Sequence, residues 1–273
     1  MSKNKEEVVY RFEEENHVHE IKVDDEWKPL TGTSSVTDVM AKGGLIWWGV
    51  GLALEMLGYT KKKDENKKWL KKEKRLISIK KFLPKLKKMT DEEYLNLLDE
   101  AYYAHFNYKN EAAVDGTDLH EKVEEWIKGE MNGEKVTPDT LIMPLVKWAK
   151  ENVDEWLWSE VHCYSEEHWL GGISDIGFRD KEGRIGILDI KSSKDAYLGH
   201  FIQCAGYDIQ ISENGGYTPD GEKIFDLDGK EIDYYAVLPF GMTNPEVQTR
   251  FNTDELREGF LAATTLYRLT KKY

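Results

Sequence analysis

The sequence predicts an α/β fold, a central mixed β-sheet flanked by helices, with a helical insertion toward the N-terminus. Three observations carry this. Residues 34–156 hold apolar residues at helical spacing, residues 158–193 alternate as strands joined by tight turns, and a helix, two further strands and a last helix follow. With 273 residues, 40% of them hydrophobic, the chain can build one large domain. The expected organisation is a single domain over 1–273. In it, residues 34–110 make a lysine-rich helical wall or arch over the cleft and residues 111–273 make the core.

Taken in order, residues 8–30 read as a β-hairpin, with a turn at Glu15-Asn16 and a second at Asp24-Asp25. His17 and His19 alternate along it and read as exposed strand residues. SSVTDVM opens a helix with Ser34 or Ser35 as N-cap. After Gly43-Gly44, LIWWGVGLALEMLG is an apolar helix expected to be buried. In the lysine-rich segment Trp69, Leu76 and Leu83 stand seven apart, one apolar stripe on a basic helix stopped at Pro84. Thr90 and Glu93 form a capping box for the next helix. A separate helix, DLHEKVEEWIKGE, is expected after Gly116-Thr117 and ends at the Asn132-Gly133 turn. Thr137-Pro138 then starts a helix to about Trp156. WSEVHCYSE, WLGGISDIGFRD and IGILDIKSS are strands, the last two joined by the turn KEGR. AYLGHFIQCAGYDIQI is a helix with Ser192 or Ser193 near its cap. Residues 214–228 form a glycine-rich loop, DYYAVLPF and EVQTRFN are strands, and Thr253 opens the final helix.

Two distant cysteines, Cys163 and Cys204, make no disulfide framework, and the N-terminal residues lack the apolar stretch of a signal peptide. The most apolar run, residues 43–57, is too short to span a bilayer. A cytoplasmic protein without a membrane partner is the expectation. The net charge of −13 hides a strong segregation: residues 61–88 carry fourteen Lys or Arg against three acids. Such a run is either a solvated helix face or a phosphate contact. On the second reading Lys61, Lys62, Lys63, Lys67, Lys68, Lys71 and Lys72 bind DNA, and Trp69 suits base stacking or the core equally well.

The residues that invite chemistry lie in the strands. Asp175 follows Gly171-Gly172, Asp189 comes fourteen residues later in the paired strand, and Lys191 sits two beyond it. Period-two alternation puts Asp189 and Lys191 on one face, and the hairpin brings Asp175 to them. For any Asp-x-Lys alone the competing reading is a surface ion pair. A divalent cation accounts for all three groups: two carboxylates hold Mg²⁺, the Ile190 carbonyl is a further candidate ligand, and Lys191 orients or deprotonates a water.

Four ordered elements over about ninety residues then resemble the RecB-like and phage-exonuclease branch of the PD-(D/E)XK, restriction-endonuclease-like nucleases. They are Gly116-Thr117 with His120, Gly171-Gly172 with Asp175, Asp189-Ile190-Lys191, and Gln203 with Tyr207. The resemblance implies that His120, Asp175 and Asp189 are metal ligands and that Lys191 is catalytic. It also implies that Gln203 and Tyr207 line the site on the following helix. Glu124, one turn beyond His120 on the same face, either replaces or supports the histidine at the metal, or is one more solvated glutamate of that helix, the reading its surroundings favour. Ser174 stands where the family name has proline.

The implied activity is Mg²⁺-dependent hydrolysis of DNA, with Mn²⁺ substituting, by an exonuclease acting on duplex ends in phage-type recombination or repair. The host cytoplasm is then its location if it is phage-encoded. A single-strand-annealing protein is the implied partner, and a homo-oligomer is compatible. The cysteines of an iron–sulfur cluster are missing, and no phosphate-binding G-x-x-x-x-G-K-[ST] is present for ATP. Alternatives are a structure-specific or single-strand endonuclease of the same fold, and a non-catalytic DNA-binding recombination accessory protein.

Overall fold

A computed structural model describes residues 9–40, 43–59 and 80–271, with residues 43–46 and 108–115 as backbone alone. By contacts the chain forms two compact units, Met1–Met40 with Gly116–Tyr273, and Ala41–Asp115. No helix among the described residues is long and apolar enough to cross a membrane.

The first unit is α/β. Strands β1 (Tyr10–Glu13), β2 (Val18–Val23) and β3 (Glu26–Pro29) form an antiparallel meander. The predicted turn at Asp24-Asp25 is present, both residues having left-handed backbone (φ 53° and 62°), as a tight hairpin turn requires. His17 is exposed, but His19 is buried, a correction to its expected exposure. Its Nδ1 lies 2.6 Å from the Tyr10 hydroxyl, which also meets His162 Nδ1 at 3.2 Å. These aromatic groups bury one another between the meander and the main sheet, together with Tyr164 and Tyr217.

After β4 (Thr31–Gly32), the expected helix at residue 34 is a single turn, α1 (Thr33–Val36), continued as a 3₁₀ turn at Thr37–Val39. Gly32 occupies the N-cap position, not Ser34 or Ser35.

The main sheet comprises β4, β5 (Val153–Ser165), β6 (Leu170–Asp180), β7 (Ile185–Lys191), β8 (Gly216–Tyr217), β9 (Lys223–Phe225), β10 (Tyr234–Pro239) and β11 (Gln248–Arg250). Among the described residues it has eight strands in the order β11-β10-β7-β6-β5-β8-β9, with β4 also paired to β6. β10 runs parallel to β7 and the β5–β6–β7 meander is antiparallel, so the sheet is mixed. The loop expected over residues 214–228 contains β8 and β9.

In the second unit, α2 (Gly43–Met56) exposes Trp47 (75%) and Leu54 (37%), where a buried helix was expected. Its apolar residues surround the axis, so no packing on one side can cover them all. Residues 80–86 are helical (α3), so Pro84 lies within the helix and does not stop it. The Thr90–Glu93 capping box is formed: the Thr90 amide donates to Glu93 Oε2 at 2.7 Å, and the Glu93 amide donates to Thr90 Oγ1 at 3.2 Å.

That box opens α4 (Asp91–Met131), which runs through Gly116 without the expected break. One glycine costs a helix about 1 kcal/mol, too little to end it beside Ala112 and Ala113. The Gly133 turn (φ 70°) closes it as predicted. The next helix, α5 (Met143–Asn152), is shorter than read. Asp139 caps a preceding 3₁₀ turn by accepting from the Leu141 amide, and β5 begins at Val153, taking Trp156 into the sheet.

The remaining helices are α6 (Leu198–Asn214), capped at Tyr197, not Ser192 or Ser193, and α7 (Thr253–Thr270). Strand alternation sorts the core into two layers. Ile176, Phe178, Leu188, Ile190, Ala236 and Leu238 pack with Leu119, Val123 and Ile127 of α4 and Leu145 and Val146 of α5. Val161, Cys163, Ile187, Tyr235 and Val237 pack with Phe201, Cys204 and Ala205 of α6 and Phe260 of α7. Helices therefore flank the sheet on both faces.

Candidate metal centre at the open end of a hairpin

β6 and β7 pair from Arg179↔Ile185 to Ile176↔Leu188. One step further, Asp175 and Asp189 face each other where the ladder stops. Asp175 Oδ2 accepts the Ile190 amide at 2.8 Å, replacing a strand-to-strand bond. β7 continues beside β10 with Val237 opposite Asp189, so the sheet stays closed while the hairpin opens. Alternation places Lys191 with Asp189 as predicted, and its Nζ donates to Asp189 Oδ1 at 2.8 Å.

Two glycines make room behind Asp175. A Cβ at Gly172 would stand 2.8 Å from Thr33 Oγ1 and from Tyr207 Cε1, and one at Gly171 would stand 2.4 Å from His19 Cβ. Thr33 donates to the Gly171 carbonyl and receives the Gln210 amide, which ties α1, β6 and α6 together. Tyr207 is buried and its hydroxyl accepts from Gln203 Nε2 at 2.5 Å. Tyr207 therefore positions Gln203, which is the half-buried, reachable member of the pair.

His120 arrives from α4. Its Nε2 is 3.2 Å from the Ile190 carbonyl, and its Nδ1 is 3.3 Å from Glu160 Oε1 and 3.8 Å from Asp175 Oδ2. One donor atom each from His120, Glu160 and Asp175 lies within 4.8 Å of the other two. Glu160 is not among the residues singled out by sequence motif. Its signal was there: Glu160 and Asp175 are equidistant from the turn at residues 166–169, so a hairpin sets them opposite each other. The ladder agrees, with Ser159↔Ile176 and Val161↔Ser174 on either side. Glu124 is ion-paired to Lys128 and takes no part in this cluster. Lys61, Lys62, Lys63, Lys67, Lys68, Lys71 and Lys72 lie outside the described residues, as does Trp69.

The electrostatics are those of carboxylates short of positive charge. Burial raises the Asp175 pKa against the opposing charges of His120 and Lys191. Burial also lifts Asp189 to about 6; Lys191 lowers it and Asp175 raises it. Burial would lower His120, but its bond to Glu160 and the charges of Asp175 and Glu160 win, and its pKa rises to about 9. Burial likewise disfavours the Lys191 ammonium, and Asp189 and Asp175 outweigh it, so Lys191 stays charged. Among the described residues Asp189 Oδ2 is a fully buried oxygen with no hydrogen-bond partner, as is Ser159 Oγ.

Asp175, Asp189 and Glu160 thus stand around one ammonium and an imidazole held charged, leaving one negative charge in excess, and two when a cation takes the place of the imidazole proton. A divalent cation matches that excess, and oxygen donors with one imidazole suit Mg²⁺ or Mn²⁺. The orphaned Asp189 oxygen is what such a site leaves when no cation is counted. Searches against family models and against curated proteins find no match to this chain.

Proposed function

We propose that this chain is a divalent-metal-dependent deoxyribonuclease on a PD-(D/E)XK core, hydrolysing phosphodiesters from the ends of duplex DNA. The observation that carries the reading is the open end of the β6–β7 hairpin. There Asp175, Asp189 and Lys191 meet His120, with a buried carboxylate oxygen left over. A structural ion pair needs one acid for one base; this arrangement buries Asp175 and Asp189 and adds the half-buried Glu160.

Asp175, Asp189 and His120 are the residues that would hold Mg²⁺ or Mn²⁺. When bound, the cation supplies Lewis acidity to a phosphate oxygen and makes water a better nucleophile. Lys191 does the rest of the charge work. Its Nζ has three hydrogens, one of which goes to Asp189. The others are available to orient a water and to neutralise the negative charge that grows on the phosphate as the P–O bond breaks. Gln203, braced by Tyr207, presents an amide to the backbone of the strand being cut.

Lys80, Lys81, Lys85, Lys87 and Lys88, the described end of the basic segment, are exposed and suited to phosphate contact. Charge reversal of several of Lys61, Lys62, Lys63, Lys67, Lys68, Lys71 and Lys72 is expected to weaken DNA binding and flatten its salt dependence. Unchanged affinity and slope would refute that role.

The test is cleavage of end-labelled linear duplex and of closed circular DNA with Mg²⁺, Mn²⁺ or EDTA. Metal-dependent loss of linear DNA alone is the expected result. Cutting of circles as well would make the enzyme an endonuclease with the same site. Binding without cleavage in either metal would overturn the catalytic reading in favour of an accessory DNA-binding protein.

A further inference from the structure

We propose that Glu160 is itself a metal ligand, that the cation sits against His120 Nδ1, Glu160 and Asp175, and that this set prefers Mn²⁺ to Mg²⁺. The proposal rests on the metal-dependent reading above and goes beyond it in the ligand set and the choice of ion.

The orientation of His120 decides which atoms face the cation. Nε2 lies 3.2 Å from the Ile190 carbonyl, which can only accept, so Nε2 carries the proton. In the neutral ring the lone pair is then on Nδ1, which faces Glu160 Oε1 at 3.3 Å and Asp175 Oδ2 at 3.8 Å. Ligating histidines commonly have their other ring nitrogen held by a carbonyl in this way. The same bond uses one of the two lone pairs of the Ile190 carbonyl, which orients the histidine and leaves the other lone pair for the ligand role expected from the sequence.

Glu160 comes to the cluster by an unusual route. It is a strand residue with left-handed backbone (φ 51°), a conformation that costs a non-glycine residue about 1 kcal/mol. That backbone interrupts the β5–β6 ladder at the position opposite Asp175, and the side chain lies alongside His120. Next to this group, Asp189 stands opposite Asp175 on β7 and keeps a fully buried Oδ2 without a hydrogen-bond partner, an acid the described residues leave short of positive charge.

The choice of ion follows from the donors. Mg²⁺ favours oxygen ligands and water and dehydrates reluctantly, whereas an imidazole nitrogen raises affinity along the first transition series. A set of one nitrogen and several carboxylate oxygens therefore holds Mn²⁺ more tightly.

The experiment is calorimetric titration of the full chain with Mn²⁺ and with Mg²⁺, in the absence of DNA. Wild type is expected to bind Mn²⁺ at least about 10-fold more tightly than Mg²⁺. Glu160→Gln is expected to lose about 10- to 100-fold in Mn²⁺ affinity at unchanged far-UV circular dichroism. His120→Gln is expected to lose the preference between the two ions. If Glu160→Gln does not fold, Glu160→Asp keeps the charge on a shorter arm and is expected to bind Mn²⁺ more weakly than wild type. A Glu160 variant that binds Mn²⁺ as wild type does overturns the proposal. If Asp175→Asn abolishes binding in that case, the nuclease reading survives. If wild type binds neither ion, the nuclease reading falls with the proposal.

Discussion

The β6–β7 hairpin carries acids at both ends, and the two ends differ in kind. At the closed end, Asp180 accepts from the amides of Glu182 and Arg184 at 2.9 Å each, from Arg184 Nε at 2.8 Å and from the Tyr234 hydroxyl at 3.2 Å. Burial would raise its pKa, but these donors, the Arg184 amide foremost, bring it below the ordinary value. At the open end, Asp175 and Asp189 are raised, and Asp189 keeps an oxygen with no partner. Both ends bury carboxylates a few residues apart in the same two strands. A carboxylate that serves structure finds its donors within the fold; the open-end acids are left short of them, as the proposed cation site requires.

Asp208 extends the closed-end pattern to α6 and gives the largest expected effect. It is fully buried and accepts from Arg257 Nε at 2.7 Å, from the Tyr235 hydroxyl at 2.5 Å and from Ser212 Oγ at 2.8 Å. Arg257→Leu strands that charge among apolar groups and is expected to cost about 3–5 kcal/mol in chemical denaturation. A loss below about 1 kcal/mol would show that a fully satisfied carboxylate is not what separates the two kinds.

Asp189→Asn should behave oppositely. It keeps the shape and removes a charge that the fold alone does not satisfy. Stability of the metal-free protein should change by less than about 1 kcal/mol, while cleavage falls by roughly 10²-fold or more. Strong destabilisation with cleavage retained would reverse the assignment of the two ends.

Asp180→Ala is predicted to lower stability by about 1–3 kcal/mol through the donors it leaves unpaired, and to leave cleavage per folded molecule unchanged. Melting curves and active-site-normalised rates separate the two effects.

The smallest effect, taken per pH unit, concerns charge buried as neutral groups. Burial pushes His19 to about 3, helped by the neighbouring charge of His162, and pushes His162 to about 4, both from 6.5. Below pH 6.5 the unfolded chain binds protons that the folded chain does not. Stability is therefore full above pH 6.5 and falls by about 1.4 kcal/mol per pH unit for each histidine down to pH 4. Denaturation at pH 7 and pH 5 should show a shallower loss in the His19→Gln, His162→Gln double variant, and an equal loss would refute the assignment.

Much of the core was legible because strand alternation and turn residues agreed. The KEGR turn, the Asp24-Asp25 turn, the strands around Asp175 and Asp189 and the Thr90–Glu93 box all stand where local chemistry put them. What local reading missed was settled at longer range. Gly116 is a helix breaker only where nothing else holds the helix, and Leu119, Val123 and Ile127 anchor α4 in the core just beyond it. His19 alternates like an exposed residue until the Tyr10 and His162 partners, from other strands, bury it. The apolar helix at Trp47 gave no sign of which side would be covered, because apolar residues occur on all of them. For the site, Asp175, Asp189 and Lys191 followed from spacing alone, and His120 came with the resemblance. Glu160 required treating residues 158–180 as one hairpin and asking what lies opposite Asp175.

On the proposed function, the open end of the hairpin cuts phosphodiesters with Lys191 as its catalytic ammonium. Single-turnover cleavage of a linear duplex in Mn²⁺ tests it most directly, comparing wild type with Lys191→Ala while DNA binding is measured separately. Lys191→Ala is expected to bind the duplex and to cleave it roughly 10²-fold or more slowly. Cleavage by Lys191→Ala at the wild-type rate would contradict it.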